Sequence, residues 1–258
     1  MDTVTLHRGE LPILISLPHD GSELPPAIAQ RMTPAARLAP DTDWFVSRLY
    51  SFGLALGASM LVPRWSRYVV DLNRPPDDLS LYPGQNTTGL CPLLQFTGEA
   101  VYLPGQEPGT ADIAMRLEDY WRPYHDALAG ELSRLREAHG RVLLWEGHSI
   151  RSRVPFLFDG CLPDVNLGTA AGASCHRATQ QRLEKILQAQ SKYSWVANGR
   201  FKGGYITRHY GRPGEGVEAI QLELAQCNYM DEDRASYDPD KAGEIQVLLE
   251  SLIRAAAP

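Results

Sequence analysis

The chain has 258 residues, 43% of them hydrophobic and 22% charged, which suits one large soluble domain or two small ones. Its net charge of -6 excludes the basic footprint of a general nucleic-acid binder but leaves room for a local cationic pocket. No apolar stretch approaches the roughly 20 residues needed to span a bilayer, and the start MDTVTLHRGELP lacks an apolar signal-peptide core, so the expected location is the cytoplasm.

In chain order, LPILISL at 11–17 reads as a short buried strand stopped by Pro18. Asp41 is placed to cap a helix running through WFVSRLYSFGLALG, with Asp43 in its first turn, where an acid suits the dipole. Ala58 to Pro63 and Tyr68 to Leu72 read as two further strands. Residues 75–108 are rich in Pro, Gly and Thr and form a long excursion of the kind that often carries function. Residues 110–139 have a helical pattern with a kink or break expected at Pro123. Arg141 to Trp145 reads as a central strand, 153–175 as a loop and Ala178 to Gln190 as a helix. Residues 198–216 carry six glycines and read as loop, Val217 to Leu224 as a strand, and Lys241 to Ala256 as a helix. Strands alternating with helices predict a single α/β domain over 1–258, with a central mixed, mostly parallel sheet flanked by helices. In such sheets, sites gather at the carboxyl ends of strands.

His19, Asn73-Arg74, His148 and Glu223 all fall at or just beyond such ends. The stretch LLWEGHSIRS at 143–152 supports two chemistries. Gly147-His148-Ser149-Ile150-Arg151 approaches the nucleophile elbow G-x-S-x-G, which would make Ser149 a nucleophile. Arg151 stands where the tight turn needs a small residue, and 153–175 does not read as the helix an elbow opens. The other chemistry makes His148 a metal ligand, with two protein partners and an open position for water. His19 is its natural partner, since both histidines follow strands and adjoin glycine. His7, His125, His139 and His176 read as surface, packing or helix-start residues, and His209 as a loop residue within reach of a site. For the carboxylate ligand, Asp43 is favoured over Glu23. Asn73-Arg74 leaving a strand forms an anion clamp, because the Arg fork matches a carboxylate. Glu223 sits on the strand face opposite Leu222 and Leu224, as a solvated acid or a general base. Cys91, Cys161, Cys175 and Cys227 form no CxxC pair and read as reduced thiols.

SLPHDG, DTDWFVSRLY, SRYVVDLNRPPDD, LYPGQNTTGLCP, WRPYHDAL, GHSIRSRVPFLFDGCLPDVNLGT, NGRFKGGYITRHYGRP and QLELAQCNYM together resemble the N-formylglutamate deformylase (amidohydrolase) family across nearly the whole chain. That family is distantly similar to the zinc carboxypeptidases, which implies their phosphorylase/hydrolase-like fold. The resemblance implies metal-dependent hydrolysis of N-formyl-L-glutamate to formate and L-glutamate in one branch of histidine degradation. It implies His148 as a ligand of a divalent ion, zinc first and cobalt or another ion as alternatives, with His19 and either Asp43 or Glu23, Asp43 favoured, completing the set. Glu223 becomes the base. Asn73 and Arg74 become substrate anchors, with Arg151, Arg200 or Arg208 as the second cation and Tyr205 and Thr207 lining the same loop. The substrate is then a small molecule with two carboxylates, with neither nucleic acid nor membrane as partner, bound by a monomer or small homo-oligomer. Two departures stand out. His19-Asp20-Gly21-Ser22 lacks the acid of a carboxypeptidase HxxE, and Glu146-Gly147 replaces the expected Asp and small residue before His148. A longer acid at 146 implies altered hydrogen bonding behind the ligand.

Overall fold

A computed structural model describes residues 3–80 and 88–258. Residues 81–87 of LYPGQNTTGLCP therefore lie outside the described residues. The strands are β1 (Val4–His7), β2 (Ile13–Ser16), β3 (Ser59–Pro63), β4 (Val142–Ile150), β5 (Val165–Gly168), β6 (Trp195–Ala197) and β7 (Val217–Ala225), with a small hairpin of β8 (Met230–Asp231) and β9 (Ser236–Tyr237). The helices are α1 (Pro26–Ala29), α2 (Val46–Leu49), α3 (Phe52–Leu56), α4 (Thr110–Arg116), α5 (Arg122–His139), α6 (Arg177–Ala189), α7 (Tyr205–Tyr210) and α8 (Pro239–Ala256). The sheet has seven strands in the order β1-β3-β2-β4-β7-β5-β6. Strands β3, β2, β4 and β7 run parallel, whereas β1 and β5 pair antiparallel at either side. The expected single α/β domain with a mixed, mostly parallel sheet flanked by helices is what the described residues form.

The sheet alternation sorts two cores. Leu143 and Trp145 of β4, with Ile220, Leu222 and Leu224 of β7, face α6 and α8. Val142, Leu144, Val217 and Ala219 face α5. Leu144 is fully buried, and truncating such a side chain costs about 2–5 kcal/mol. On the α5 face both strands change character toward their carboxyl ends. Glu146, His148, Gln221 and Glu223 follow the apolar residues at the same parity, all still buried. The register sets His148 opposite Glu223. One face therefore supplies core at one end and chemistry at the other.

Several elements differ from expectation. Tyr68 to Leu72 is irregular rather than a strand: Asn73 donates its amide to Asp71 Oδ1 and Arg74 donates to the Asp71 carbonyl, closing turns. The helix after Asp43 is two short ones, α2 and α3, and Phe45 opens the first in the left-handed region at φ 63°. Asp41 caps neither; it accepts from Tyr68 Oη and the Phe96 amide. The 110–139 helix is continuous, and the expected break at Pro123 is replaced by a π-helical turn at Leu117–Trp121 just before it, where the regular bonding pattern is already interrupted. β4 runs on through Ile150, so His148 lies inside the strand. His7 lies in edge strand β1, β5 lies within the 153–175 stretch taken as loop, and α7 lies within the glycine-rich 198–216. Of the long excursion, Leu90, Val101 and Tyr102 are core residues.

Candidate active site

Strands β2, β4 and β7 are neighbours, and their carboxyl ends deliver His19, His148 and Glu223 to one cavity of about 100 Å³. Asp43 reaches it from the turn before α2, where its backbone amide donates to the His19 carbonyl. Each of His19, Asp43 and His148 offers one ligand atom, and these atoms lie within 4.8 Å of one another. All three residues are buried.

The histidine orientations follow from hydrogen bonds behind them. His19 Nε2 lies 2.7 Å from Asp71 Oδ1, leaving Nδ1 at 3.8 Å from Asp43 Oδ2. His148 Nε2 lies 2.7 Å from Glu146 Oε1, leaving Nδ1 at 3.1 Å from Asp43 Oδ2. Carboxylates behind both rings and nitrogens converging on a third carboxylate are the pattern that supports metal-binding histidines. Two nitrogens and one oxygen suit zinc or a similar divalent ion with a coordination position left over. The donor set therefore fits a metal. Asp43 Oδ2 also accepts from the Ser149 amide.

Charge is balanced by Arg67. Its guanidinium lies 2.6 Å from Asp71 Oδ2 and 3.8 Å from Asp43 Oδ1, and packs over Phe96. Burial pushes the Asp71 carboxyl up, but His19 and Arg67 outweigh it and hold it well below the usual carboxylate range. Burial, with Arg67 beside it, lowers the pKa of His19. Burial also disfavours a charge on His148, yet its bonds to Asp43 and Glu146 raise its pKa well above the ordinary histidine value. Burial raises Glu223 to about 8, with His148 opposing and Asp43 adding to the rise.

The remaining expected residues fall into two groups. Arg74 and Arg200 line the cavity, as does Asn73. Arg200 packs over Phe158 and Phe201, so the loop after β4 supports it. Arg151 does not line the cavity; it is half exposed and faces Asp233. Arg208 donates to the Gly203 carbonyl. Tyr205 stacks on His209 beside Trp121 and His125, outside the cavity lining, and Thr207 is buried, donating to Glu146. Glu23 is paired with Arg64 on the surface and neither lines the cavity nor joins the donor cluster. Ser149 lines the cavity, but its hydroxyl is engaged by Tyr229 Oη at 2.6 Å and Gln226 Nε2, and among the described residues no histidine hydrogen-bonds to it. That is not the serine–base pair a nucleophile needs.

Sequence reading did not single out Arg67 and Asp71, though their four-residue spacing before Asn73 is a signal. It also could not see that Asn73 organises α7. Asn73 Oδ1 accepts from the Ile206 amide and its carbonyl from the Tyr205 amide. Gly204 is required there, since a Cβ would sit 2.3 Å from Asn73 Nδ2.

The profile of the N-formylglutamate amidohydrolase family matches residues 11–230. The chain belongs to this family. It is 51% identical over 257 residues to the N-formylglutamate deformylase of Pseudomonas aeruginosa, covering 98% of this chain and 96% of that one. The Pseudomonas putida N-formylglutamate deformylase is 50% identical, with 99% and 96% covered. The crystal structure of N-formylglutamate amidohydrolase from Ralstonia eutropha JMP134 superposes with a TM-score of 0.84 at 23% identity, covering 99% and 98% of the two chains, a likeness of fold. The expected enzyme class, an amidohydrolase, is thereby borne out. No helix among the described residues is long and apolar enough to cross a membrane.

Proposed function

We propose that the protein hydrolyses N-formyl-L-glutamate to formate and L-glutamate with a divalent metal held by His19, Asp43 and His148. The observation that carries this reading is the convergence of those three donors, each histidine backed by a carboxylate, beside the buried Glu223 in a cavity walled by arginines. The family supplies the substrate. A divalent ion there contributes Lewis acidity, bringing the pKa of water toward about 7 and polarising the formyl carbonyl. His148 would hold the ion through Nδ1, the nitrogen that faces Asp43.

Glu223 accepts a proton from water as that water attacks the formyl carbon. It then passes the proton to the departing amine nitrogen. Burial raises its pKa to about 8, and a dication held beside it would favour the carboxylate the first step needs. Arg67, stacked on Phe96 beside the donors, stands where negative charge develops on the formyl oxygen. Arg74 and Arg200 provide two cations for the two carboxylates of the glutamate part, with Asn73 beside them in the cavity lining. Tyr205 and Thr207 brace the Asn73 arm from α7. Zinc is the metal best matched to this N, N, O set. Formate and glutamate as products fit the last step of one branch of histidine degradation.

The test is formate release from N-formyl-L-glutamate before and after chelation and metal add-back. Activity lost on chelation and restored by zinc or cobalt supports the reading. Activity indifferent to chelator, and abolished in Ser149→Ala, sinks it.

A further inference from the structure

Glu146 is fully buried on β4, two residues before His148 on the same face, and does not line the cavity. Its carboxylate collects three donors from three parts of the chain. Oε1 accepts from His148 Nε2 and from Asn73 Nδ2, and Oε2 accepts from Thr207 Oγ1 of α7. We propose that Glu146 is a positioning residue that couples the metal site to the substrate-binding arm, setting metal affinity through His148 and substrate affinity through Asn73. This rests on the metal-dependent reading above.

The His148 half follows from geometry. With Nε2–H held by Glu146, only Nδ1 is turned toward Asp43, and the ring plane is fixed by bonds at both nitrogens. The Asn73 half follows from the direction of its amide. Nδ2 must donate to Glu146 so that Oδ1 can accept from the Ile206 amide at 2.9 Å. A flipped amide would set its oxygen against the carboxylate and its NH₂ against a backbone N–H. Glu146 thus fixes the face that Asn73 presents to α7, and Arg74 follows directly in the chain. The residue type is specific for the same reason. The His148 N–H and the Asn73 NH₂ can only donate and both face Oε1, so that side needs an acceptor, while the Thr207 hydroxyl can donate or accept. A glutamine could satisfy all three only with its oxygen toward His148 and Asn73 and its NH₂ toward Thr207, and it would replace charge-assisted bonds to His148 and Asn73 with weaker neutral ones. An aspartate would fall short by about 1.5 Å, one carbon–carbon bond.

The experiment compares wild type and Glu146→Gln. Zinc affinity is measured by competition with a chromophoric chelator, and kcat and KM for N-formyl-L-glutamate at saturating zinc. Glu146→Gln is expected to lose zinc affinity by about tenfold to a hundredfold and to show a raised KM once zinc is restored. A purely structural role would lower the melting temperature while leaving the zinc affinity and KM of the folded protein at wild-type values, and that result overturns the proposal. Wild type that binds no metal at all instead overturns the metal reading itself. Should Glu146→Gln fail to fold, nitrogen-15 histidine spectra of zinc-loaded wild type decide: His148 should carry its proton on Nε2 and metal on Nδ1, and the reverse arrangement overturns the proposal.

Discussion

His125 lies beneath the Asn73–Arg74 arm and offers a test of how the arm is held. It is buried in α5, stacked against Trp121 at 3.7 Å and Tyr210 at 5.9 Å. Its Nε2 donates to the Leu72 carbonyl at 2.9 Å, one residue before Asn73, and its Nδ1 accepts from Tyr210 Oη at 3.0 Å. Burial lowers its pKa from 6.5 to about 3, with the Leu72 bond opposing and His209 adding to the fall. The unfolded chain therefore binds a proton that the folded chain refuses between those values, so stability rises with pH there and is lost as pH falls below 6.5. Each pH unit in that window removes about 1.4 kcal/mol, and about 2 kcal/mol of the folded protein's stability is gone by pH 5. Denaturant unfolding of wild type and His125→Gln at pH 7 and pH 5 reads this directly. Glutamine keeps an N–H for Leu72 but cannot titrate. Its fall in stability between the two pH values should be about 2 kcal/mol smaller than wild type's. Equal falls in both proteins would refute the assignment of a neutral, buried His125.

The other predictions concern the site. Glu223→Gln keeps the shape of the side chain and removes the base. Turnover should drop about 10²–10⁴-fold with zinc content unchanged; normal turnover would remove Glu223 from the mechanism. Arg200→Ala should raise KM for N-formyl-L-glutamate by about tenfold or more, the worth of a charge-assisted carboxylate contact. Arg151→Ala, which disturbs only an exposed contact to Asp233, should leave KM within about twofold. The opposite ranking in steady-state kinetics would mean that the second carboxylate is bound outside the cavity described.

What the sequence disclosed of this site depended on whether the cause was local. The apolar run of β4 ending in Glu146, His148 and Ser149, and QLELAQ with Glu223 between leucines, carry their meaning in the two-residue period of a strand. Both the sheet and the shared face were readable from that period. Asp43 was readable as a ligand candidate though its supposed cap partner Asp41 was not a cap, because the turn is fixed by the His19 carbonyl and by Tyr68, neither of them a neighbour in sequence. Val69 and Val70 favour a strand by propensity, and the turn won because Asp71 is held by Arg67 and His19 while its side chain and carbonyl bond the next amides.

The α7 segment shows the same limit from the other side. Six glycines between 198 and 216 predict loop, and six residues of helix form there because Asn73, far away in sequence, accepts from the first amides of α7. The preference for Arg200 over Arg151 was likewise invisible. It depends on where the 153–162 loop carries Phe158, and no local pattern encodes that. In each case the unread contact joins segments far apart in sequence, and the Asn73 contacts join the Asp71–Arg74 turn to α7. That is also where Glu146 sits with three donors around it. Residues whose placement depends on several distant segments are those through which one segment's geometry constrains another's. A substitution at Glu146 should therefore disturb metal and substrate together, where a substitution confined to one segment disturbs only one of them.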